Sequence, residues 1–395
     1  MPVEEALERL LALAEAAPIR ETENVSLAEA EGRVLATELV ATLDLPPWPN
    51  SAMDGYALRL ADLQGEPLPV SQRIFAGHAP EPLQPGTCAR IFTGAPMPAG
   101  ADCVEMQENT EVLEGGRVRF LEALTLDQNV RPQGQETRKG EQVMVAGTRL
   151  GPIELGLAAT LGHAQLQVVR RVRVAVLSTG DELVEPGLPL GPGQIYNSNR
   201  RLLVSWLQRL GCEVRDMGIL PDDLERTREC LGGLGDVDLI LSTGGVSVGE
   251  ADYLGAALRE AGELALWKLA IKPGKPLTFG HYRGVPVIGL PGNPASTLVT
   301  FGLLTRPYLL RRQGVADVTP LRFDVPAGFE WTKAGTRREY LRARIDNGQV
   351  RIYKNQSSGV LRSAAWAEGL VEVREGSTPK PGDSVPFIPL SELLG

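Results

Sequence analysis

The second half of the sequence alternates short apolar runs with amphipathic segments of about ten residues, and this alternation limits the fold most. Such a pattern predicts a doubly wound, mostly parallel sheet covered by helices on both faces. The predicted strands are residues 172–178, 213–220, 239–242, 266–271, 277–279 and 285–289. The predicted helices are residues 200–210, 224–231, 253–261 and 295–311.

Three loops with polar or glycine-rich sequences follow strands of this predicted sheet: STGDE (178–182), STGG (242–245) and LPGNP (290–294). In open α/β sheets, ligands bind beyond the carboxyl ends of the strands, where these loops lie. Residues 236–252 read as a strand, a glycine turn and a helix start, which together form an anion site. Glu250 and Asp252 would repel a bare phosphate, so the functional reading adds a divalent cation. The alternative is a tight turn with a capping acid.

Lysine is concentrated in WKLAIKPGKP (267–276), which holds Lys268, Lys272 and Lys275. A compact ammonium suits a phosphate or another oxyanion; a basic surface turn is the alternative reading. Asn197-Ser198-Asn199 and Asp222-Asp223 both precede predicted helices, where capping is the default role.

The remaining chain predicts a helix over 3–16, a short helix over 152–162 and two regions of short strands. Prolines 46, 47 and 49 mark the entry to a β region that runs to about 139. Asp54-Gly55 and Thr93-Gly94 lie on turns there, and a plain hairpin turn is the competing interpretation for each. Residues 315–395 predict a small barrel or sandwich. Strand alternation places Arg338, Arg342 and Arg344 on one face and Arg337 on the other, and a basic stripe of this kind is usually a solvated face.

Charge and composition exclude several classes of protein. The net charge of −9 over 395 residues argues against general nucleic-acid or acidic-membrane binding. The cysteines and histidines are scattered, so no zinc site is predicted. The acidic start of the chain is not typical of a signal peptide, and no apolar run approaches the ~18 residues of a membrane span. A cytoplasmic protein is expected.

Taken together, the motifs resemble the molybdopterin molybdenumtransferase family, which includes MoeA and the E domain of gephyrin. The matching segments are NSAMDGYA (50–57), RIFTGAPMPAGAD (90–102), STGDEL (178–183), YNSN (196–199), the PDD turn (221–223), STGGVSVGEADY (242–253), WKLAIKPGKP (267–276) and GLPGNP (289–294). They occur in the family's order.

The resemblance implies a multidomain α/β plus β fold in an elongated homodimer. Its central part would be a three-layer, MogA-like α/β domain over 169–314, flanked by small β domains. Residues 46–139 would be inserted between 1–45 and 140–168, which form a discontinuous linker and dimerisation domain, and 315–395 would be barrel-like. The implied reaction inserts molybdate into adenylylated molybdopterin with release of AMP, assisted by Mg²⁺. A transient contact with the molybdopterin adenylyltransferase is a further implied partnership.

The resemblance also assigns roles to residues. The catalytic candidates are Asp54, Thr93, Glu182, Asp222 and Asp252, with Glu182, Asp222 and Asp252 as the metal ligands. Gly244, Gly245 and Ser247 would hold the pyrophosphate, while Lys268 and Lys272, with Ser358 and Arg337 or Arg342, would gather molybdate. Asp54 and Thr93 would close the site from the β domain, across the dimer interface. The other substrate-binding candidates are Ser178, Thr179, Gly180, Asp181, Lys275, Pro291 and Asn293.

The sequence departs from the family at Gly134-Gln135-Glu136, where the family usually has Gly-Glu-Asp. Two other functions are compatible with parts of the sequence. An adenylyltransferase that uses ATP would share the α/β core but not the added β domains or the Asp54 motif. A non-enzymatic scaffold would not need every acidic motif.

Overall fold

The computed structural model describes residues 1–244, 253–261 and 264–394. Two compact units make up the chain. One comprises Met1–Ala36, Ala146–Pro152 and Gln165–Gly395, and the other comprises Thr37–Val145 and Ile153–Ala164. In the part of the chain described, no helix is long and apolar enough to cross a bilayer.

A six-stranded sheet forms the centre of the first unit, and the predicted, mostly parallel α/β arrangement is confirmed. The four strands at one side are parallel and the two at the other side are antiparallel. In spatial order the strands are Glu213–Leu220, Arg173–Thr179, Leu239–Thr243, Val285–Leu290, Pro276–Tyr282 and Leu264–Lys268.

Alternate side chains of these strands enter two different cores, so the sheet is the middle of three layers. Val174 and Leu239 pack with the helix Ser198–Arg209 on one face. Ala175 and Ile240 pack with the helices Leu224–Gly232 and Tyr253–Ala261 on the other.

The helix predicted over 295–311 consists of three segments, Pro294–Thr300, a π-helical turn Phe301–Thr305, and Arg306–Arg312. Pro307 has no N–H to donate to the carbonyl four residues before it, which explains a change of hydrogen-bond pattern at this point.

The strand predicted over 266–271 is also divided. The edge strand ends at Lys268, and Ile271–Lys272 pairs with the start of Arg338–Asp346 in another sheet. The Leu269 N–H donates to the Lys275 carbonyl at 2.7 Å, which closes the loop that contains Ile271–Lys272.

The N-terminal helix is Val3–Ala16, and its buried residues Val3, Ala6, Leu10 and Ala14 join the core of the α/β sheet. Two short antiparallel pairs follow, Thr22–Ser26 with Gln165–Val169 and Leu39–Val40 with Gln142–Met144. The helix predicted over 152–162 spans Pro152–Thr160.

The second unit contains a mixed sheet whose close packing depends on Gly55. A Cβ at Gly55 would lie 1.8 Å from the Glu105 carbonyl oxygen of the neighbouring strand. In spatial order the strands are Cys103–Met106, Gly55–Leu58, Cys88–Ile91, Leu68–Ile74, Arg117–Phe120 and Thr110–Val112. Asn50–Ser51 pairs separately with Val130–Arg131.

The C-terminal residues form a small β domain closed in the manner of a barrel, one of the two forms that the pattern of short strands left open. Its path runs through Gln349–Ile352, Arg338–Asp346, Gly369–Val373, Ser384–Pro389 and Phe323–Pro326. A bridge between Ala327 and Val350 then joins the last strand to the first. The helices Leu361–Trp366 and Leu390–Leu394 accompany this domain.

Candidate functional site

The three predicted loops meet at the carboxyl edge of the central sheet. Ser178 lies beside Thr243 in the strand register, and Thr243 lies beside Leu290. The loop after Leu290 is tied to the helix Ser198–Arg209, because Asn199 Nδ2 donates to the Gly292 carbonyl at 2.6 Å. The sheet therefore brings together three loops that are far apart in the sequence.

Two glycines allow close contacts at this edge, Gly244 with the neighbouring loop and Gly180 with Glu182 of its own loop. Gly244 has φ of +79°, and a Cβ there would lie 2.8 Å from the Thr179 carbonyl oxygen. Gly180 has φ of +139°, and a Cβ there would lie 2.4 Å from Glu182 Oε2. A side chain at either position would strain the backbone and displace its neighbour.

A cleft of about 320 Å³ lies between these loops. Thr179, Glu182, Thr243 and Gly244 border it from the first two loops. Its other polar lining residues are Asn197, Ser198, Asn199, Gly292 and Asn293, and its apolar ones include Leu183, Ile195, Tyr196 and Leu361. Gly359 and Leu361 come from the C-terminal domain, so that domain supplies one wall of the cleft.

Several buried polar atoms at this edge have no hydrogen-bond partner among the described residues. They are Ser178 Oγ, Thr179 Oγ1, Asn197 Nδ2, Asn199 Oδ1 and Ser242 Oγ. Each unpaired buried group costs about 1–3 kcal/mol. An edge that keeps several such groups together has the character of a binding site rather than of a packed core.

Acidic side chains surround the start of the helix Leu224–Gly232. The backbone N–H of Asp222 donates to Asp181 Oδ1 at 3.2 Å. The pKa of Asp222 is raised by partial burial and further by the negative charges of Asp181 and Glu182. Such mutual repulsion is what a bound cation would relieve.

The predicted metal ligands are only partly described. Within residues 1–244, 253–261 and 264–394, no three His, Cys, Asp or Glu side chains are arranged to hold a metal ion. Glu182 and Asp222 belong to the acidic cluster, but Asp252 lies outside the described residues, as do Gly245 and Ser247. The default capping interpretation is confirmed for Asp223, which accepts from the Arg226 N–H at 2.8 Å, and for Asn197, which accepts from the Arg200 N–H at 3.3 Å.

Lys268, Lys272 and Lys275 are all exposed around the turn that joins the central sheet to the C-terminal domain. Lys272 Nζ lies 3.0 Å from Glu339 Oε2, and Arg337 Nη1 donates to the Ile271 carbonyl at 3.2 Å. Gly274, at the bend of this turn, packs against Thr300 of the adjacent helix. Lys272 and Arg337, predicted to act together, therefore lie on adjoining backbone segments.

Arg342 differs from the prediction of a solvated basic stripe, because its side chain is fully buried. The helix Leu361–Trp366 covers this face, and Arg342 Nε donates to Ser363 Oγ at 3.0 Å. Its Nη2 donates to the Ser357 carbonyl at 3.2 Å, and burial lowers the pKa of Arg342 to about 10. Arg342 thus anchors the loop that carries Ser358, whose carbonyl accepts from the Ala295 N–H at 3.0 Å.

The other two catalytic candidates belong to the second unit and are brought together there. Thr93 donates to Asp54 Oδ1 from its N–H at 2.8 Å and from its hydroxyl at 2.7 Å. These hydrogen bonds, the backbone one first, lower the pKa of Asp54. Both residues are exposed. Glu136 is also exposed, and its N–H donates to the Leu45 carbonyl at 2.8 Å.

Tyr196, Asn197 and Asn199 all border the cleft, although none of them was predicted from the sequence as a site residue. The YNSN motif was the signal that could have identified them. It was not used in this way because capping of the following helix already accounted for the two asparagines. Capping uses only one polar atom of Asn197 and none of Asn199.

Family models match most of the chain in three consecutive segments. Residues 1–162 match the MoeA N-terminal region (domains I and II), and residues 175–311 match a probable molybdopterin-binding domain. Residues 324–390 match the MoeA C-terminal region (domain IV). The central match contains the three loops that border the cleft.

Curated relatives and solved structures agree with these models. The chain is 39% identical to the molybdopterin molybdenumtransferase of Haemophilus influenzae over 385 residues, covering 95% of each chain. It is 38% identical to the Nostoc protein of the same name, covering 91% of this chain and 86% of the relative. The crystal structure of a molybdopterin biosynthesis MoeA protein from Pyrococcus horikoshii matches with a TM-score of 0.83 and 30% identity, covering 98% of this chain and 99% of that one.

Proposed function

The chain belongs to the MoeA family of molybdopterin molybdenumtransferases, and we propose that it inserts molybdate into adenylylated molybdopterin with release of AMP. The observation that carries the proposal is the cleft at the carboxyl edge of the sheet. It lies in the segment that matches a probable molybdopterin-binding domain, and it is bordered by Thr179, Thr243 and Gly244.

The cleft would hold the phosphorylated substrate. Gly244 has no side chain, so a phosphate can approach the backbone there. The proposal extends to Gly245 and Ser247, which follow it, and to the substrate-binding candidates Ser178, Gly180, Asp181, Pro291 and Asn293.

Carboxylate oxygens are the preferred protein ligands of Mg²⁺, and Glu182 and Asp222 would need a third ligand from outside the described residues, since no three described side chains are arranged to hold a metal ion. We propose Glu182, Asp222 and Asp252 as the residues that hold it. When bound, the ion would offset the repulsion between substrate phosphates and these carboxylates. Burial first, and then the negative charges of Asp181 and Glu182, raise the pKa of Asp222, and these acidic neighbours would favour a cation at this position.

Molybdate would bind at the basic junction of the central sheet and the C-terminal domain. Lys268, Lys272, Lys275 and Arg337 supply exposed or partly exposed cations there. Ser358 lies in the loop that contacts the start of the helix Pro294–Thr300. Because Arg342 is buried, the contribution we propose for it is to hold this loop in place.

The finer parts of the assignment are also proposals. They comprise a homodimer, a cytoplasmic location, a transient contact with the adenylyltransferase that makes the substrate, and catalytic roles for Asp54 and Thr93. We also propose a division into four parts. Residues 46–139 are inserted between 1–45 and 140–168, which together form one part, and 169–314 and 315–395 are the other two.

Incubation with adenylylated molybdopterin and molybdate, in the presence of Mg²⁺ or of a chelator, tests the function directly. We expect AMP release that requires both molybdate and the metal. Pyrophosphate release from ATP with molybdopterin would instead indicate an adenylyltransferase. An absence of both products would leave a non-enzymatic scaffold as the better description.

A further inference from the structure

Two asparagines at the start of the helix Ser198–Arg209 each use one amide atom within the protein. Asn197 Oδ1 accepts from the Arg200 N–H, and Asn199 Nδ2 donates to the Gly292 carbonyl. An N–H requires an acceptor and a carbonyl requires a donor, so these partners identify the oxygen and nitrogen of each amide. The atoms left over are a donor, Asn197 Nδ2, and an acceptor, Asn199 Oδ1.

These leftover atoms lie on residues that border the cleft. Asn197 is 2% exposed and Asn199 is 7% exposed. Neither leftover atom has a hydrogen-bond partner among the residues described. Thr179, 8% exposed, borders the same cleft with an unpaired hydroxyl, which can both donate and accept.

The same cleft is also lined by apolar side chains, next to the unpaired polar atoms of Asn197, Asn199 and Thr179. Leu183–Val184 and Ile195–Tyr196 form a short parallel pair, and Leu183, Ile195 and Tyr196 all border the cleft. Tyr196 is 46% exposed, and its hydroxyl donates to the Leu188 carbonyl at 2.9 Å, which fixes the position of the ring. An exposed, fixed aromatic ring offers a surface on which a planar group can stack.

The combination favours a ligand other than a phosphate at Asn199. An ionised phosphate offers no hydrogen-bond donor to Asn199 Oδ1, and the Glu182 carboxylate that borders the same cleft would repel it. A nitrogen heterocycle offers both a donor and an acceptor along one edge, as adenine does to an asparagine amide.

We propose that Asn197, Asn199 and Tyr196 form a subsite for a planar nitrogen heterocycle, with the two amides pairing to its edge and the ring beside its face. The inference rests on the proposed function, whose substrate carries two such groups, a pterin and an adenine. Both present adjacent donors and acceptors, so the experiment must separate them.

Asn197→Asp is the most informative variant. Aspartate caps a helix as well as asparagine does, so the hydrogen bond to the Arg200 N–H is kept. The leftover donor becomes an acceptor, which would repel the acceptor of the heterocycle. Asn24→Asp is the matched control, since Asn24 is exposed on the strand Thr22–Ser26 of the same unit.

Binding of two uncharged probes, 6-hydroxymethylpterin and adenosine, would be measured by calorimetry with wild-type and variant proteins. We expect Asn197→Asp to lower the affinity for one probe by about tenfold and Asn24→Asp to lower the affinity for neither. A lower affinity for the pterin alone assigns the subsite to the pterin, and a lower affinity for adenosine alone assigns it to the adenine. Tyr196→Leu, which keeps an apolar side chain but removes the ring, should weaken the same probe and serves if Asn197→Asp fails to fold.

The inference is overturned if the wild-type protein binds neither probe. It is also overturned if Asn197→Asp and Tyr196→Leu both bind the two probes as tightly as the wild type does. Molybdate-dependent AMP release, measured on the same preparations, separates this outcome from failure of the proposed function. Intact AMP release with unchanged probe binding rejects the subsite alone. Altered probe binding in the variant, together with no AMP release by the wild-type protein, keeps the subsite and rejects the proposed reaction.

Discussion

Thr93 directs two donors, its backbone N–H and its hydroxyl, at one carboxylate oxygen of Asp54, at 2.8 and 2.7 Å. Both bonds favour the ionised carboxylate, and the pKa of Asp54 is accordingly lowered. Because Asp54 is exposed, its ionisation can be followed in the folded protein.

We expect Thr93→Val to raise the pKa of Asp54, since one of the two donors is lost, and Thr93→Ser to leave it unchanged. The carboxyl chemical shift of Asp54 as a function of pH gives this value directly. Asp54 is a group with a lowered folded-state pKa, so its stabilising effect is present above the unfolded-state pKa and is lost as pH falls through the folded value. An equal pKa in the valine and serine variants would show that the hydroxyl contributes nothing.

Asp222 and Asp223 are adjacent acids with different environments, and they form a matched pair for testing the acidic cluster. The pKa of Asp222 is raised, by burial first and by its acidic neighbours second, whereas Asp223 caps the helix Leu224–Gly232. With a raised folded-state pKa, the ionised Asp222 opposes folding at neutral pH, and this effect disappears as pH falls through the folded pKa.

Asp222→Asn is therefore expected to raise the melting temperature at pH 7 without added metal, by about 1 °C or more, and to lower AMP release at least tenfold. Asp223→Asn keeps the cap, because asparagine is an equivalent capping residue, and should change neither quantity. Mg²⁺ should stabilise the wild-type protein more than Asp222→Asn. Equal stabilisation of both by Mg²⁺ would remove Asp222 from the metal site.

Local pattern was sufficient to predict the four parallel strands of the central sheet and the meeting of their loops. Apolar runs fixed the strands, and the parallel connection rule then placed 178–182, 242–245 and 290–294 at one edge. The same reasoning predicted a turn at Asp54 and another at Thr93. It did not predict the hydrogen bonds between them, since this contact depends on how strands distant in sequence pack together.

The failures have a common physical cause, which is burial by elements distant in sequence. Alternation along Arg338–Asp346 describes faces but does not reveal that the helix Leu361–Trp366 covers Arg342. Likewise, a capping role for Asn197 was correct, yet the sequence could not show that its second amide atom is buried and unpaired beside a cleft. Such features become visible only when the partners of each polar atom are counted.

Lys272 is the cation most directly placed at the junction with the C-terminal domain, where its Nζ meets the buried carboxylate of Glu339 at 3.0 Å. We expect Lys272→Ala to raise the molybdate concentration needed for half-maximal AMP release by about tenfold, which corresponds to ~1.4 kcal/mol. Lys380→Ala, at an exposed lysine of the same C-terminal domain, should leave it unchanged. An unaltered molybdate requirement in Lys272→Ala would exclude this lysine from oxyanion binding.

Gly55 and Gly156 belong to the same unit but should respond to alanine in opposite directions. A Cβ at Gly55 would lie 1.8 Å from the Glu105 carbonyl, so Gly55→Ala must separate two paired strands and should cost about 3 kcal/mol or more. Gly156 lies in the helix Pro152–Thr160 with no atom within 4 Å of its Cβ position. Gly156→Ala should stabilise by about 0.5–1 kcal/mol. Urea denaturation of this unit in the full chain would measure both, and stabilisation by Gly55→Ala would contradict the strand spacing.

Arg342 and Arg351 contrast a buried arginine with an exposed one in the same β domain. Arg342 is fully buried, and its guanidinium donates to Ser363 Oγ and to the carbonyls of Ser357 and Tyr340. Arg342→Ala removes these donors and leaves a cavity, so the free energy of unfolding should fall by about 3 kcal/mol or more.

Arg351 is half exposed and pairs with Asp346 on the surface, so Arg351→Ala should cost less than about 1 kcal/mol. The loop that carries Ser358 depends on Arg342, and for that reason Arg342→Ala should also lower AMP release at temperatures where the protein remains folded. Arg342→Met restores most of the lost volume but none of the donors. If the methionine variant recovered stability and activity together, the loop would be held by packing alone; recovery of stability without activity would assign its placement to the hydrogen bonds of Arg342.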